Sequence, residues 1–288
     1  MKRLLILSGK GGTGKTTTAA AFIKLSGARA VADCDVDAPN LHLINRKMSD
    51  PVTSDFYGGE KAFIDSQKCT SCESCIKKCR FKAIEKDMKG SYIVNEFLCE
   101  GCGVCEYVCS FDAVRLEADI AGKKSLYFND GVFSTAELKM GRGNSGKLVT
   151  EVKLAMLKNA KDEELAIVDG SPGTGCPVMA SMSGMDMILI VAEPSYSGLS
   201  DLKRLIKTCS GQEIKLAVCV NKYNISTELT KRIKDFCEEN AIPFVGVIPY
   251  DDKAQALVNQ GRSLVEVDCP SGNALRHIYE GTMALLYK

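Results

Sequence analysis

Four cysteines spaced Cys69-x2-Cys72-x2-Cys75-x3-Cys79 return thirty residues later as Cys99-x2-Cys102-x2-Cys105-x3-Cys109. The same offset maps Phe81 onto Phe111 and Ala83 onto Ala113, so the block is an internal repeat. Eight of the 14 cysteines thereby fall within 41 of the 288 residues. Thiolates at this density bind metal or form disulfides, and either choice dictates a small fold held by cross-links in place of a large apolar core. Zinc usually takes two ligands from each of two separated pairs, and four thiolates in so tight a run suit a cubane better. Zinc and a disulfide framework stay open as alternatives. Met1-Lys2-Arg3 followed by Leu4–Leu7 begins like a signal peptide, but the apolar stretch is short and runs into Gly9-Lys10-Gly11-Gly12. A cytoplasmic chain is expected, where structural disulfides are rare.

The composition of the whole chain, 45% hydrophobic and 25% charged residues, is that of a soluble globular protein. A formal charge of +1 gives no electrostatic footprint for nucleic acid or an anionic membrane. No apolar run reaches the roughly 20 residues of a membrane-spanning helix. Leu4–Leu7, Ala30–Ala32, Leu165–Val168, Met187–Val191, Leu216–Val220 and Phe244–Ile248 are predicted strands. Thr16–Leu25, Ser200–Cys209, Thr227–Asn240 and Gly272–Tyr287 are predicted helices. Short continuous apolar strands alternating with helices predict a doubly wound, mostly parallel sheet covered on both faces. Asp50–Gly59, with Pro51, Gly58 and Gly59, reads as a linker. The expected organisation is one α/β domain from 1–59 and 118–288, interrupted by a small α+β domain over 60–117.

Gly9-Lys10-Gly11-Gly12-Thr13-Gly14-Lys15-Thr16 lies between a predicted strand and a predicted helix, the context in which a P-loop cradles phosphate. Its glycines let backbone N–H groups turn toward phosphate oxygens. Lys15 sets a cation on the β- and γ-phosphates, Thr16 offers a hydroxyl to Mg²⁺, and Thr17 completes the contacts.

The additional lysine, Lys10, resembles the deviant P-loop of the MinD/ParA, arsenical-pump and nitrogenase iron-protein group. That resemblance implies an ATP-hydrolysing dimer, homodimeric or heterodimeric with a related ATPase, in which Lys10 reaches the partner's nucleotide. Asp33-Cys34-Asp35, followed by Asn40-Leu41, is similar to the group's first switch and gives Asp35 the role of orienting the attacking water. Asp169, opening Gly170-Ser171-Pro172-Gly173-Thr174-Gly175, is similar to the second switch and would sense Mg²⁺. Asn221-Lys222-Tyr223-Asn224 resembles the base-recognition segment. Asn224 stands where a guanine site carries aspartate, so adenine is expected, with Asn221 and the backbone from Pro249 to Asp251 as contacts.

The cysteine spacing resembles bacterial two-cluster ferredoxins, whose fourth cysteine serves the other cluster. The resemblance implies one [4Fe–4S] cluster on Cys69, Cys72, Cys75 and Cys109, and a second on Cys79, Cys99, Cys102 and Cys105. The usual proline after the fourth cysteine is replaced by Arg80 and Ser110. Over the whole chain the sequence resembles MinD-type ATPases with an inserted ferredoxin domain. The expected activity is ATP-gated electron transfer to a redox or metal-cofactor partner; a cluster carrier or assembly ATPase and a redox-sensing positioning ATPase are the alternatives. Nucleic acid and stable membrane association are not expected.

Overall fold

The computed structural model describes residues 1–43, 50–128 and 130–288. The chain opens with β1 (Lys2–Leu7), α1 (Lys15–Ser26) and β2 (Ala30–Asp33). Its middle carries β3 (Val52–Ile64), α2 (Ser74–Lys78), β4 (Ile84–Lys86), β5 (Tyr92–Val94), α3 (Val104–Tyr107) and β6 (Val114–Phe128). There follow β7 (Val132–Leu138), α4 (Ser145–Asn159), β8 (Leu165–Asp169), α5 (Cys176–Met182), β9 (Met187–Ala192) and α6 (Tyr196–Cys209). The last elements are β10 (Lys215–Asn221), α7 (Thr227–Glu239), β11 (Phe244–Ile248), α8 (Asp252–Asn259) and α9 (Pro270–Leu286). No described helix is long and apolar enough to cross a membrane.

Two units emerge: Met1–Ser54 with Lys124–Glu137 and Ser145–Lys288, and Asp55–Lys123 with Leu138–Asn144. The first holds a sheet in the order β11-β10-β9-β1-β8-β2-β7, while β3 and β6 fall mostly within the second. Every neighbouring pair from β11 to β7 is parallel. Strands β1, β8 and β9 are buried throughout or nearly so, which is why their sequences are unbroken apolar runs. The order reverses at β1, with β8 and β2 on one side and β9, β10 and β11 on the other. The turn after β1 therefore opens at a topological switch point, where such sheets place ligands.

Helix α1 follows because Gly14 takes φ 92°, a left-handed turn that aims the first helical N–H groups back at the loop. A side chain at Gly14 would also strike the Asn221 carboxamide. The helix ends at Gly27, whose φ of 65° lets its N–H bond the Ile23 carbonyl. Between these ends α1 buries Ala19, Ala21 and Phe22 among Ile167, Leu189, Leu275 and Ile278. The Phe22 ring meets Tyr279 edge-on at 5.2 Å.

The second unit repeats its backbone as well as its sequence. Helices α2 and α3 start thirty residues apart. Positive φ recurs at Ser71 and Gly101, Glu73 and Gly103, and Lys82 and Asp112. The halves also exchange bonds: Asp65 N–H donates to the Ala113 carbonyl, and Asn95 N–H donates to the Ala83 carbonyl, both at 2.7 Å.

The linker expected over Asp50–Gly59 is absent, because Val52–Ile64 is one continuous strand. Gly58 serves close approach rather than freedom: a Cβ there would stand 2.6 Å from that of Ala121. Residues beyond 60–117 also join the second unit. Arg142, from the short segment Leu138–Asn144, pairs with Glu96 at 2.5 Å and Asp119 at 3.1 Å and lies over the Phe97 ring.

Candidate functional site

In the first unit, the loop from Gly9 to Thr16 is shaped by bonds to its own protein. Asn221 Nδ2 donates to the Thr13 carbonyl at 2.8 Å, and Lys222 Nζ to the Gly12 carbonyl at 3.3 Å. Gly9 lies so close to α6 that an added Cβ would meet that of Asp201 at 2.5 Å, whereas Gly11 and Gly12 face open space.

Lys15 is 5% exposed and its Nζ stands 2.5 Å from Asp169 Oδ1 and 3.7 Å from Asp35 Oδ2. Thr16 Oγ1 donates to Asp169 Oδ2 at 2.6 Å. The phosphate lysine, the hydroxyl and both switch aspartates expected from the sequence thus meet at one point. A hydroxyl beside carboxylates, all hard oxygen donors, is chemistry suited to Mg²⁺. Thr16 and Asp169 would hold that ion, which would supply charge neutralisation at the β- and γ-phosphates of a nucleotide.

Asp33 is a member of the site that the sequence reading left without a role. It ends β2 in register with Asp169 at the end of β8. It is fully buried, and it accepts N–H bonds from Asp35, Asn40 and Leu41 at 3.1 Å each. Burial and the neighbouring Asp169 charge push its carboxyl up to about 7, against the pull of the Leu41 N–H and Lys15. Burial also raises Asp35. Carboxylates ending two adjacent strands were the available signal. The two switch segments are tied as well, by Ser171 Oγ donating to the Cys34 carbonyl at 2.5 Å.

Lys10 Nζ pairs with Glu193 Oε2 at 2.9 Å and lies beside Ser195 and Ser197. Glu193, which also faces Lys222 at 3.7 Å, carries no sequence signature. Beyond the loop lies a cleft of about 400 Å³ lined by Gly12, Thr17, Asn221, Pro249, Tyr250 and Asp251, among others. Asp251 is occupied there as the cap of α8, accepting from Lys253 N–H and Ser271 Oγ. Asn224 accepts from Tyr250 N–H at 2.7 Å.

In the second unit the eight cysteines line two separate cavities. Cys69, Cys72, Cys75 and Cys109 surround one, with Ile64, Tyr92 and Phe111. Cys79, Cys99, Cys102 and Cys105 surround the other, with Ala62, Phe81 and Leu116. Each cavity takes three cysteines from one repeat and the fourth from the other. Backbone N–H groups point at sulfur: Ala83 to Cys79 and Ala113 to Cys109 at 3.4 Å, and Ala62 to Cys99 at 3.5 Å. No three His, Cys, Asp or Glu side chains among the described residues are placed to hold a single metal ion. A cubane asks for no such convergence, since each of its four irons takes one thiolate. All 14 cysteines are free of disulfides.

Residues 4–265 match the CobQ/CobB/MinD/ParA nucleotide binding domain. The chain is 29% identical to an uncharacterized protein of Methanocaldococcus jannaschii, MJ0578, over 96% of this chain and 95% of that one. Shorter matches join it at 26% to the cytosolic Fe-S cluster assembly factor NBP35 of Eremothecium gossypii, over 43% of this chain and 44% of that one. Another is at 34% to the pyruvate synthase subunit PorD of Methanothermobacter marburgensis, over 20% of this chain and 68% of that one. Among solved structures, the cell division ATPase MinD of Pyrococcus furiosus superposes with a TM-score of 0.60 at 17% identity, covering 99% of each chain. With its phosphate loop, buried lysine and strand-end carboxylates assembled on that fold, the chain belongs to the CobQ/CobB/MinD/ParA nucleotide-binding family.

Proposed function

We propose that this chain is an ATP-hydrolysing, dimeric iron–sulfur protein whose nucleotide state governs electron transfer to a partner protein. The observation that carries the reading is the crossed lining of the two cysteine cavities in a chain that also builds a phosphate loop. The donor set, four thiolates per cavity with amide N–H groups on three of the eight sulfurs in all, fits a [4Fe–4S] group in each. Such groups would supply one-electron chemistry at low potential. The short likeness to PorD accords with this. Homodimer and heterodimer are both compatible with the family.

Lys15 and the loop N–H groups bind the β- and γ-phosphates of ATP. Asp35 orients the attacking water, and Lys10, freed from Glu193, carries its charge to the nucleotide across a dimer. The second unit is inserted between Asp35 and Asp169, the two segments that respond to the γ-phosphate. Ordering of those segments is the proposed link between the units.

The test is anaerobic. Asp35→Ala protein loaded with ATP captures the partner, and reduced wild-type protein is then mixed with that partner. Faster transfer with ATP, abolished in Lys15→Ala, supports gating; equal rates in all three cases reject it. A second reading, cluster assembly or transfer, is favoured by the likeness to NBP35. Delivery of iron–sulfur groups to an apo-acceptor at the rate of ATP turnover would decide for it.

A further inference from the structure

The repeat in the second unit is matched in backbone and cysteines but not in surface. Lys77, Lys78, Arg80 and Lys82, around Cys79, map at the thirty-residue offset onto Tyr107, Val108, Ser110 and Asp112, around Cys109. The four cations are all exposed. Lys77 pairs with Glu73 at 3.5 Å, while Lys78, Arg80 and Lys82 have no ion-pair partner among the described residues. Between Arg80 and Lys82 stands Phe81, 42% exposed, which lines the cavity of Cys79, Cys99, Cys102 and Cys105. In the other half the corresponding turn offers exposed Tyr107 and Phe111 beside Asp112.

We propose that the Lys78–Arg80–Lys82 face is a docking surface for an acidic redox protein, which exchanges single electrons with the Cys79, Cys99, Cys102 and Cys105 site. The inference rests on the iron–sulfur reading above and adds which end of the unit meets the partner and with what charge. Three exposed, unpaired cations within five residues, two of them flanking Phe81 in the chain, make an attractive spot for a carboxylate-rich patch, and two of them adjoin Cys79 in sequence, a ligand of the group to be oxidised. Opposite charge steers such encounters and orients them. Nucleic acid is the poorer fit, because phosphate tracking asks for an extended basic stripe and this chain's formal charge is only +1. The transfer makes and breaks no bond: one electron leaves the second site, which is oxidised, and the partner's acceptor is reduced.

The probe is a flavodoxin, an acidic flavin protein that accepts single electrons. Iron content and the electron paramagnetic resonance of the reduced full-length protein are recorded first, then semiquinone formation is followed by anaerobic stopped flow. The wild-type rate at low salt is expected to exceed that of Lys78→Gln/Arg80→Gln/Lys82→Gln by about tenfold and to fall toward it as salt is added. Lys231→Gln/Arg232→Gln/Lys234→Gln, on α7, should behave as wild type. Equal low-salt rates for wild type and the first variant, or an equal loss in the α7 variant, overturn the proposal. So does a loss of retention on a single-stranded oligonucleotide with the flavodoxin rate intact. If the first variant fails to assemble, the wild-type salt series decides alone, and a rate flat or rising with salt overturns the proposal. Wild-type protein without the resonance signal defeats the iron–sulfur reading itself, and this inference with it, before flavodoxin is added.

Discussion

The two units build their sites in opposite ways. In the first, β1, β8 and β9 are buried almost without exception, and Phe22, Ile167, Met187 and Leu189 fill the space against the helices. The phosphate loop is an attachment to that core, and the protein's own hydrogen bonds hold it. In the second, the described core comprises Ala62, Ile64, Ala83, Ile84, Tyr92, Cys99 and Val114, with further cysteines packed against it. Its two helices have five and four residues, too short to be stable alone. Phe63, Phe81, Phe97 and Phe111 are exposed. On the iron–sulfur reading proposed above, one unit folds and then binds, whereas the other binds in order to fold.

Iron removal gives the largest expected contrast. Anaerobic chelation should bring amide hydrogen exchange across residues 62–116 close to the rates of an unfolded chain. Amides of β1, β8 and β9 should keep their protection. Persistent protection of both units would break the comparison, and loss of both would merge them into one.

In the first unit the same logic predicts sensitivity to a void. Phe22→Ala removes a fully buried ring and should cost about 3–5 kcal/mol in urea unfolding. Iron content should be unchanged. A loss below about 1 kcal/mol would mean that the sheet and α1 repack, and that the core is less rigid than its burial implies.

The third effect is one of pH. The folded unit holds the Asp33 proton up to about pH 7, whereas the unfolded carboxyl releases it near 3.8. The folded state therefore binds more protons between those values, and stability without nucleotide should fall as pH rises through that window. The full shift corresponds to roughly 4 kcal/mol at 1.36 kcal/mol per pH unit. Asp33→Asn should flatten that slope. A nucleotide-free protein equally stable at pH 4.5 and 7.5 would remove Asp33 from the account.

The same contrast governs what could be read from sequence. Strands such as Met187–Ala192 were legible because burial on both faces leaves an unbroken apolar run. The phosphate loop was legible because glycine and lysine positions are dictated by phosphate. Strand β3 was missed: its half-exposed pattern and the glycines at 58 and 59 imitate a loop, while Gly58 is small because Ala121 lies against it. The assembly of Lys15, Thr16, Asp35 and Asp169 was expected, but Asp33 became a participant only through strand register, which one sequence does not display. Glu193 and Arg142 had no local pattern at all, since each acts on partners distant in sequence.

Arg142 supplies the smallest effect and the sharpest discriminator. Its guanidinium reaches Glu96 Oε2 at 2.5 Å, the Glu96 carbonyl at 3.0 Å and Asp119 at 3.1 Å, with the Phe97 ring nearby. Its side chain is 8% exposed, unlike the surface pair Lys231–Asp235. A lysine carries the charge but not the planar fork, so Arg142→Lys should cost about 1–2 kcal/mol in the iron-loaded second unit. Lys231→Gln should cost under about 0.5 kcal/mol. After chelation the Arg142→Lys effect should vanish, because the residues it pairs with no longer have a fixed geometry, whereas the Lys231→Gln effect should persist. Arg142→Lys keeping its full cost without iron would show that this corner of the second unit is folded by protein contacts alone.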